Sequence, residues 1–407
     1  MRVTTNLIFD QNFRAINTSQ GQLSDIQTQL ASGRKLLRPS DDPVGAVQVI
    51  RLTEEIDKTV QYRRNIDLAT NNLELQDTTM RSINEIVNRG RVLVVQAGNG
   101  IVSREDRRAL ASEIEQIRNQ VVDLMNTQNA SGEYIFAGFQ SREQAFVFNP
   151  GNASNPIQFQ GDDGINSMQL SDSVSIQTTV SGKTLFEDVK ARLDIHNISN
   201  AGFTFNGFDM QSQDDFDVFH QQNYSAVNPA NNQYQLELLA GNQVQVTNLG
   251  TGAVVGNVPY VAGQATVFEG LSFDIQGPVG STLDFDLQPP DKQNLAETLH
   301  RMSLALNDPN ISDYQYQQEI RNALVGLDNG LEKMARENSS VGARLNIAES
   351  VLGSLLDNDV ANQKARSAIQ DVDYAEASAE FSKQETALSA AFASFPRVAG
   401  LSLFDFI

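Results

Sequence analysis

A heptad seam runs from Ile320 to Leu355, and it dictates what the rest of the chain must supply. One row, seven residues apart, reads Ile320, Leu327, Met334, Val341, Ala348 and Leu355; the second reads Leu324, Leu331, Asn338, Leu345 and Leu352. Ten of these eleven positions are apolar, a pattern that specifies a coiled coil rather than an ordinary globular helix. As a helix the segment spans roughly 55 Å. Isolated helices in water are marginal and gain their stability from packing. The seam therefore demands partner helices.

A second long helical pattern runs from Val44 to about Ala97. Its main row is Leu52, Thr59, Ile66, Leu73, Met80, Val87 and Val94, and its second row is Tyr62, Ala69, Gln76, Ile83, Gly90 and Ala97. This seam is leakier but as long, about 70–80 Å, and is the expected partner of Ile320–Leu355. Gly98-Asn99-Gly100 ends it. Ser103–Asn126 is expected to fold back as a shorter helix with the stripe Leu110, Ile114, Ile117, Val121 and Leu124.

Each terminus adds one more helix. Residues 1–32 carry Ile16, Ser19, Leu23, Ile26 and Leu30 on one side, flanked by small and amide residues rather than by strong charge. That composition suits an assembly surface better than a solvated face. Gly33 is the expected C-cap. In Pro39-Ser40-Asp41-Asp42-Pro43, Asp42 suits an N-cap and Pro43 the first helical position. Adjacent aspartates also raise a metal site, but no His or third carboxylate stands at ligand spacing, so capping is preferred. Near the other end, Leu295, Leu299, Met302 and Leu306 restart helical spacing before the turn Asp308-Pro309-Asn310. Past Leu355 the seam is expected to break at Asp359 and Asn362. A row in shifted phase follows, Tyr374, Phe381, Leu388 and Phe395, with Ala377 and Ala391 on the same face; the phase change puts a boundary near 360–373. The apolar tail through Ile407 calls for burial in an assembly or capture by a partner.

Between the helical ends the period falls to two. Strands are expected at Tyr134–Phe139, Ala145–Phe148, Ile157–Gln160, Val174–Val180, Gln233–Leu239, Gln243–Asn248, Thr266–Phe268, Phe273–Gln276 and Leu283–Leu287. Residues 141–290 hold 16 acidic and 4 basic residues, and thus −12 of the chain's net charge of −20. Asp214, Asp215 and Asp217 lack the glycine turn and terminal glutamate of an EF-hand and read as a solvated acidic loop.

The expected fold is α+β: an elongated antiparallel helical bundle or coiled coil formed by both termini, with an inserted central mainly-β domain. Residues 1–40 with 365–407 form a terminal assembly segment, 41–140 with 290–364 a helical rod, and 141–289 an outward-facing β domain. The rod core seam is Ile66, Leu73, Met80, Val87, Ile320, Leu327, Met334, Val341, Leu345 and Leu352. The assembly seam is Ile16, Leu23, Ile26, Leu30, Tyr374, Phe381, Leu388 and Phe395.

Catalytic signals are sparse. There is no Cys, and the three histidines, His196, His220 and His300, are dispersed and in no metal or triad spacing. The glycine-rich stretches lack the Lys and the strand-to-helix setting of a phosphate loop. We therefore expect no enzyme, cofactor or metal. The acidic charge disfavours nucleic acid and anionic lipid. No apolar run reaches the ~20 residues of a membrane span, and the N-terminus lacks the pattern of a Sec signal peptide.

The run Gln29-Leu30-Ala31-Ser32-Gly33-Arg34-Lys35, followed by Pro39-Ser40-Asp41-Asp42-Pro43-Val44-Gly45-Ala46, resembles the N-terminal signature of bacterial flagellins. Met1-Arg2-Val3-Thr4-Thr5, Gly132-Glu133-Tyr134-Ile135-Phe136-Ala137-Gly138 and the ending Val398–Ile407 are more similar to that superfamily's branch at the hook–filament junction. The resemblance covers about residues 1–190 and 290–407. It implies a structural junction adaptor, with the filament subunit, flagellin, as the alternative. It further implies export by the flagellar type III route without a cleaved signal, and an export chaperone that captures the C-terminal helix. The mature protein would then lie outside the cell in the flagellum, self-assembled into a ring between hook-associated protein 1 and flagellin.

Overall fold

The computed structural model describes residues 5–99, 102–152 and 155–399. Packing divides the chain into two units. One holds the chain up to Asn71, Met168–Ile176 and the chain from Leu345 onward; the other holds Asn72–Ser167 and Gln177–Arg344.

The long helices follow the heptad rows. Helix α1 is Thr5–Ser32, α2 Pro43–Ala97, α3 Arg104–Met125, α5 Leu295–Asn307, α6 Asp313–Gln370 and α7 Tyr374–Ala399. On α2, Thr59, Ile66, Leu73, Met80, Val87 and Val94 are all buried, as are Ala69, Gln76, Ile83 and Ala97 of the second row. The seam that looks leakier by composition is thus well covered. Its one buried amide, Gln76, donates from Nε2 to the Thr178 carbonyl at 2.7 Å. On α6 the two rows differ. Ile320, Leu327, Met334, Val341, Ala348 and Leu355 are buried, whereas Leu324, Leu331, Asn338, Leu345 and Leu352 are only half-buried.

In the second unit α2 and α6 run antiparallel. The Tyr316 hydroxyl of α6 donates to the Ala97 carbonyl at 2.8 Å, and farther along Arg91 pairs with Asp328. Helix α3 packs on α5, and α5 comes close to α6. A side chain at Gly330 would place its Cβ 2.5 Å from Leu295 Cδ1, so any larger residue there would have to displace the buried Leu295 side chain.

The β domain belongs to the same unit. Strands β6 (Ile195–Ala201), β7 (Thr204–Met210), β8 (Gln233–Leu239), β9 (Gln243–Asn248), β10 (Val254–Pro259), β11 (Thr266–Phe268), β12 (Leu271–Gln276) and β13 (Thr282–Leu287) form two antiparallel sheets. Their orders are β10-β9-β8-β13-β6 and β11-β12-β7. Along β8 and β9 the burial alternates, which puts Tyr234, Leu236, Leu238, Val244 and Val246 into one core with Phe273 and Phe285. Helix α4 (Gln213–Asn223) closes that core with Phe216 and Phe219. Separate two-stranded sheets are formed by Phe146–Phe148 with Ile157–Phe159 (β1, β2) and by Val189–Lys190 with Lys292–Gln293 (β5, β14), while the pair Ser167–Gln169 with Ser175–Gln177 (β3, β4) lies mostly within the first unit. A polar contact ties the domain to α6. Buried Arg192 pairs with Asp194 and donates from Nε to Asn322 Oδ1 at 2.8 Å, while Arg321 pairs with Asp209 at 3.0 Å. Burial raises the Asp194 carboxyl above its usual range, and Arg192 only partly offsets it.

Several expectations are corrected. Tyr134–Phe139 is a series of turns and not a strand: Ile135, Phe136 and Ala137 are buried in succession, which no alternating strand permits, and Gly138 has φ +72°. The acidic stretch Asp214–Asp217 is the first turn of α4 rather than a loop. The Ser212 hydroxyl accepts from the Asp215 N–H at 3.3 Å, and the aspartates sit at the positive end of the helix. The expected break of the seam at Asp359 and Asn362 does not interrupt the helix: α6 continues to Gln370 with Asp359 buried and accepting from Gln363 at 3.0 Å, and the boundary between α6 and α7 falls at 371–373, within the expected 360–373.

Candidate functional site: the terminal helix pair and its clip

The residues expected to form an assembly seam lie within the first unit, on α1 and α7. Gly33 ends α1 with φ +70°, a left-handed conformation that favours glycine, and its N–H returns to the Gln29 carbonyl at 2.8 Å. The chain then runs antiparallel to the break between α6 and α7. Arg34 bridges to Asp371, the Lys35 N–H donates to the Gln370 carbonyl at 2.7 Å, and the Val372 N–H donates to the Gly33 carbonyl at 3.0 Å. The two helix breaks are thus zipped together.

Aspartates start the helices on either side of this clip. Asp42 Oδ1 accepts from the N–H groups of Val44 and Gly45 at 3.1 and 2.9 Å, while Asp41 accepts from the Arg38 N–H at 2.9 Å. Asp373 Oδ1 accepts from Ala375 and Glu376 at 2.9 and 3.3 Å. All four orphan donors of an α-helix N-terminus need partners, and a carboxylate also suits the helix dipole. The Asp41-Asp42 pair acts here as a turn and a cap.

Beyond the clip α1 packs along α7. Of the expected seam, Ile16 is buried, and Leu23, Ile26, Leu30, Phe381 and Leu388 are half-buried. Tyr374 is 58% exposed, although its hydroxyl lies 3.0 Å from where a Cβ on Gly33 would stand. The Phe395 side chain and the tail from Gly400 lie outside the described residues. In the whole pair only Ile16 and Ala377 are buried among the described side chains, while Leu7, Phe13 and Phe392 are about half exposed. Gln384 and Lys383 donate to Glu380 at 2.9 and 3.0 Å and hold its carboxyl below the usual range.

Two features escape a reading of the seams alone. Arg34 and Asp371 are too far apart in sequence for any local rule to join them. Val44, Val47 and Ile50 form an exposed apolar stripe on the first turns of α2, with Val44 at 70%. Their three-residue spacing off the main row of α2 was the available signal. The rod residues Ile66, Leu73, Met80, Val87, Ile320, Leu327, Met334 and Val341 are buried, and Leu345 and Leu352 are half-buried.

Comparison with known proteins bears on this geometry. Residues 3–141 match the bacterial flagellin N-terminal helical region. Flagellar hook-associated protein 3 of Salmonella typhimurium is 31% identical over 146 residues, covering 36% of this chain and 46% of that protein. The chain thus aligns with about half the length of the curated relative. The crystal structure of Xanthomonas campestris FlgL superposes with TM-score 0.58 at 21% identity, over 78% of this chain and 99% of that one. The flagellar junction protein FlgL from Legionella pneumophila gives TM-score 0.56 at 22% identity, over 79% and 100%. Residues 3–141 of the chain are thus similar to a bacterial flagellin N-terminal helical region, 146 of its residues are similar in sequence to flagellar hook-associated protein 3, and its fold is similar to that of FlgL over most of its length.

Proposed function

We propose that this chain is a structural subunit of the bacterial flagellum, the adaptor at the hook–filament junction onto which flagellin polymerises. The observation that carries the reading is the unsatisfied apolar surface of the α1–α7 pair, where Leu7, Phe13, Tyr374 and Phe392 face outward from a contact that buries only Ile16 and Ala377 among the described side chains. Such a surface is covered when subunits pack into a ring, which couples ordering of the termini to assembly. Its neighbours would be hook-associated protein 1 on one side and flagellin on the other. An export chaperone would shield the α7 face beforehand. The similarity to a flagellar hook-associated protein 3 and to a flagellar junction protein supports the junction over the filament. The match over 3–141 to a bacterial flagellin helical region is what keeps the filament subunit as the second reading.

Deleting the gene in its native bacterium tests the reading. Bare hooks with abundant flagellin in the medium support the adaptor. Filaments of normal length overturn it, and loss of filaments with no other flagellin in the medium would make this chain the filament subunit. Complementation with Leu388→Asp examines the surface directly. That variant should fail to restore filaments and fail to bind the chaperone, while urea unfolding of the region 44–356 stays as in the wild type. Filaments of normal number with Leu388→Asp would remove the seam from the mechanism.

A further inference from the structure

A buried arginine in the second unit has a histidine as its acceptor. Arg118 of α3 is buried, and its Nη1 lies 2.7 Å from His300 Nδ1 on α5. Its Nε and Nη2 donate to Asn119 Oδ1 at 3.3 and 2.9 Å. Among the described residues no carboxylate pairs with it. The guanidinium stands over the Phe148 ring of β1 with Cζ 4.1 Å from the centroid, and Phe148 meets the His300 ring edge-on at 5.3 Å. Three elements thus converge on one contact.

Arginine only donates, so Nδ1 of His300 must carry the free lone pair and the ring must be neutral. A proton on Nδ1 removes the acceptor and sets a second cation against a buried first one. We propose that Arg118 and His300 form an acid-sensitive latch, closed while His300 is neutral and opened when it is protonated, which fastens α3, α5 and β1 together. This proposal is independent of the assembly reading.

The charged groups acting on His300 are Arg118 and Glu115, both from α3; β1 presents only the Phe148 ring. Burial and then Arg118 lower the imidazole pKa, and Glu115 opposes them. Because the folded value lies below the ordinary value of about 6.5, the unfolded chain takes up the proton first. The latch's contribution is present above about pH 6.5 and is lost as the pH falls through the folded pKa. His220 acts in the same direction elsewhere in the unit: its Nε2 lies 2.7 Å from the Gln288 carbonyl, and burial lowers its pKa. A bulk pH profile therefore cannot separate the two.

The test is a proton NMR titration of the three histidine rings in the intact chain, for the wild type and for Arg118→Met, which keeps the stem against Phe148. His300 should titrate below the ordinary imidazole range, and the substitution should move it upward. Urea midpoints at pH 7.5 and pH 5 form the second measurement. Gln at position 300 offers a carbonyl to Arg118 without titrating, so His300→Gln should lose a clearly smaller part of its midpoint than the wild type does. A His300 that titrates at or above the ordinary value overturns the latch, as does an equal midpoint loss in His300→Gln. If that variant does not fold, amide exchange of the wild type at the two pH values decides, after correction for intrinsic rates. Protection of α3 and α5 must fall more than that of β8 and β9, and equal loss overturns the proposal.

Discussion

Gly33 and Asp42 show how much a single position determines. At φ +70° an L side chain at position 33 is strained by about 1–2 kcal/mol, and its Cβ would stand 3.0 Å from the Tyr374 hydroxyl. Gly33→Ala should therefore lower the stability of the clip by more than about 1 kcal/mol, read as faster amide exchange at Lys35 and Val372, whose N–H groups make the clip's hydrogen bonds. Unchanged exchange at both would remove the clip's dependence on this turn. Asp42→Ala removes the only side-chain acceptor among the described residues for two N–H groups of α2 and should cost about 0.5–2 kcal/mol, with Asp42→Asn recovering most of the loss in thermal melts. Both positions were legible because their rules are local: glycine after the last periodic residue, and aspartate before proline. Arg34 with Asp371 and Arg118 with His300 were not, because nothing local marks a partner 182 or more residues away.

Among the elements, α6 carries the sharpest test. Its two heptad rows look alike in sequence, yet Leu327 is wholly buried and Leu331 half-buried. Leu327→Ala should cost about 2–5 kcal/mol, and Leu331→Ala less than half as much, because a half-exposed side chain leaves no closed cavity. Equal costs in urea denaturation would mean that the second row is as well covered as the first. A heptad pattern shows which face seeks a partner but not how many partners reach it, so one row could be ranked over the other only from the structure. Strands followed the same logic. β8 and β9 were legible because buried Tyr, Leu and Val alternate cleanly with polar residues. Strands β6 and β7 were not. Asn197 at φ 53° and Gly207 at φ 135° interrupt their pattern, and β7 pairs with β12 through a shift in register. Helix α4 did leave a signal, Ser212 three residues before Asp215, which is a capping pattern. The surrounding acidic charge obscured it.

For the whole molecule, the plan of helical ends around a β middle follows from where the period changes from 3.6 to 2 and back. What the sequence could not convey is how unevenly burial is shared. The first unit gives α1 and α7 one buried apolar side chain each among those described, whereas α2 buries a nearly continuous row. Local stability tracks buried apolar contact, so in the purified monomer the amides of α1 and α7 should exchange orders of magnitude faster than those of α2 between Ile66 and Val94. On assembly the exposed Leu7, Phe13 and Phe392 would be covered, and exchange of α1 and α7 should then approach that of α2. A monomer in which α1 and α7 are already as protected as α2 would mean that the pair is stable alone. Assembly would then add contacts without ordering the termini, and the coupling of folding to incorporation would fail even if the proposed junction role held.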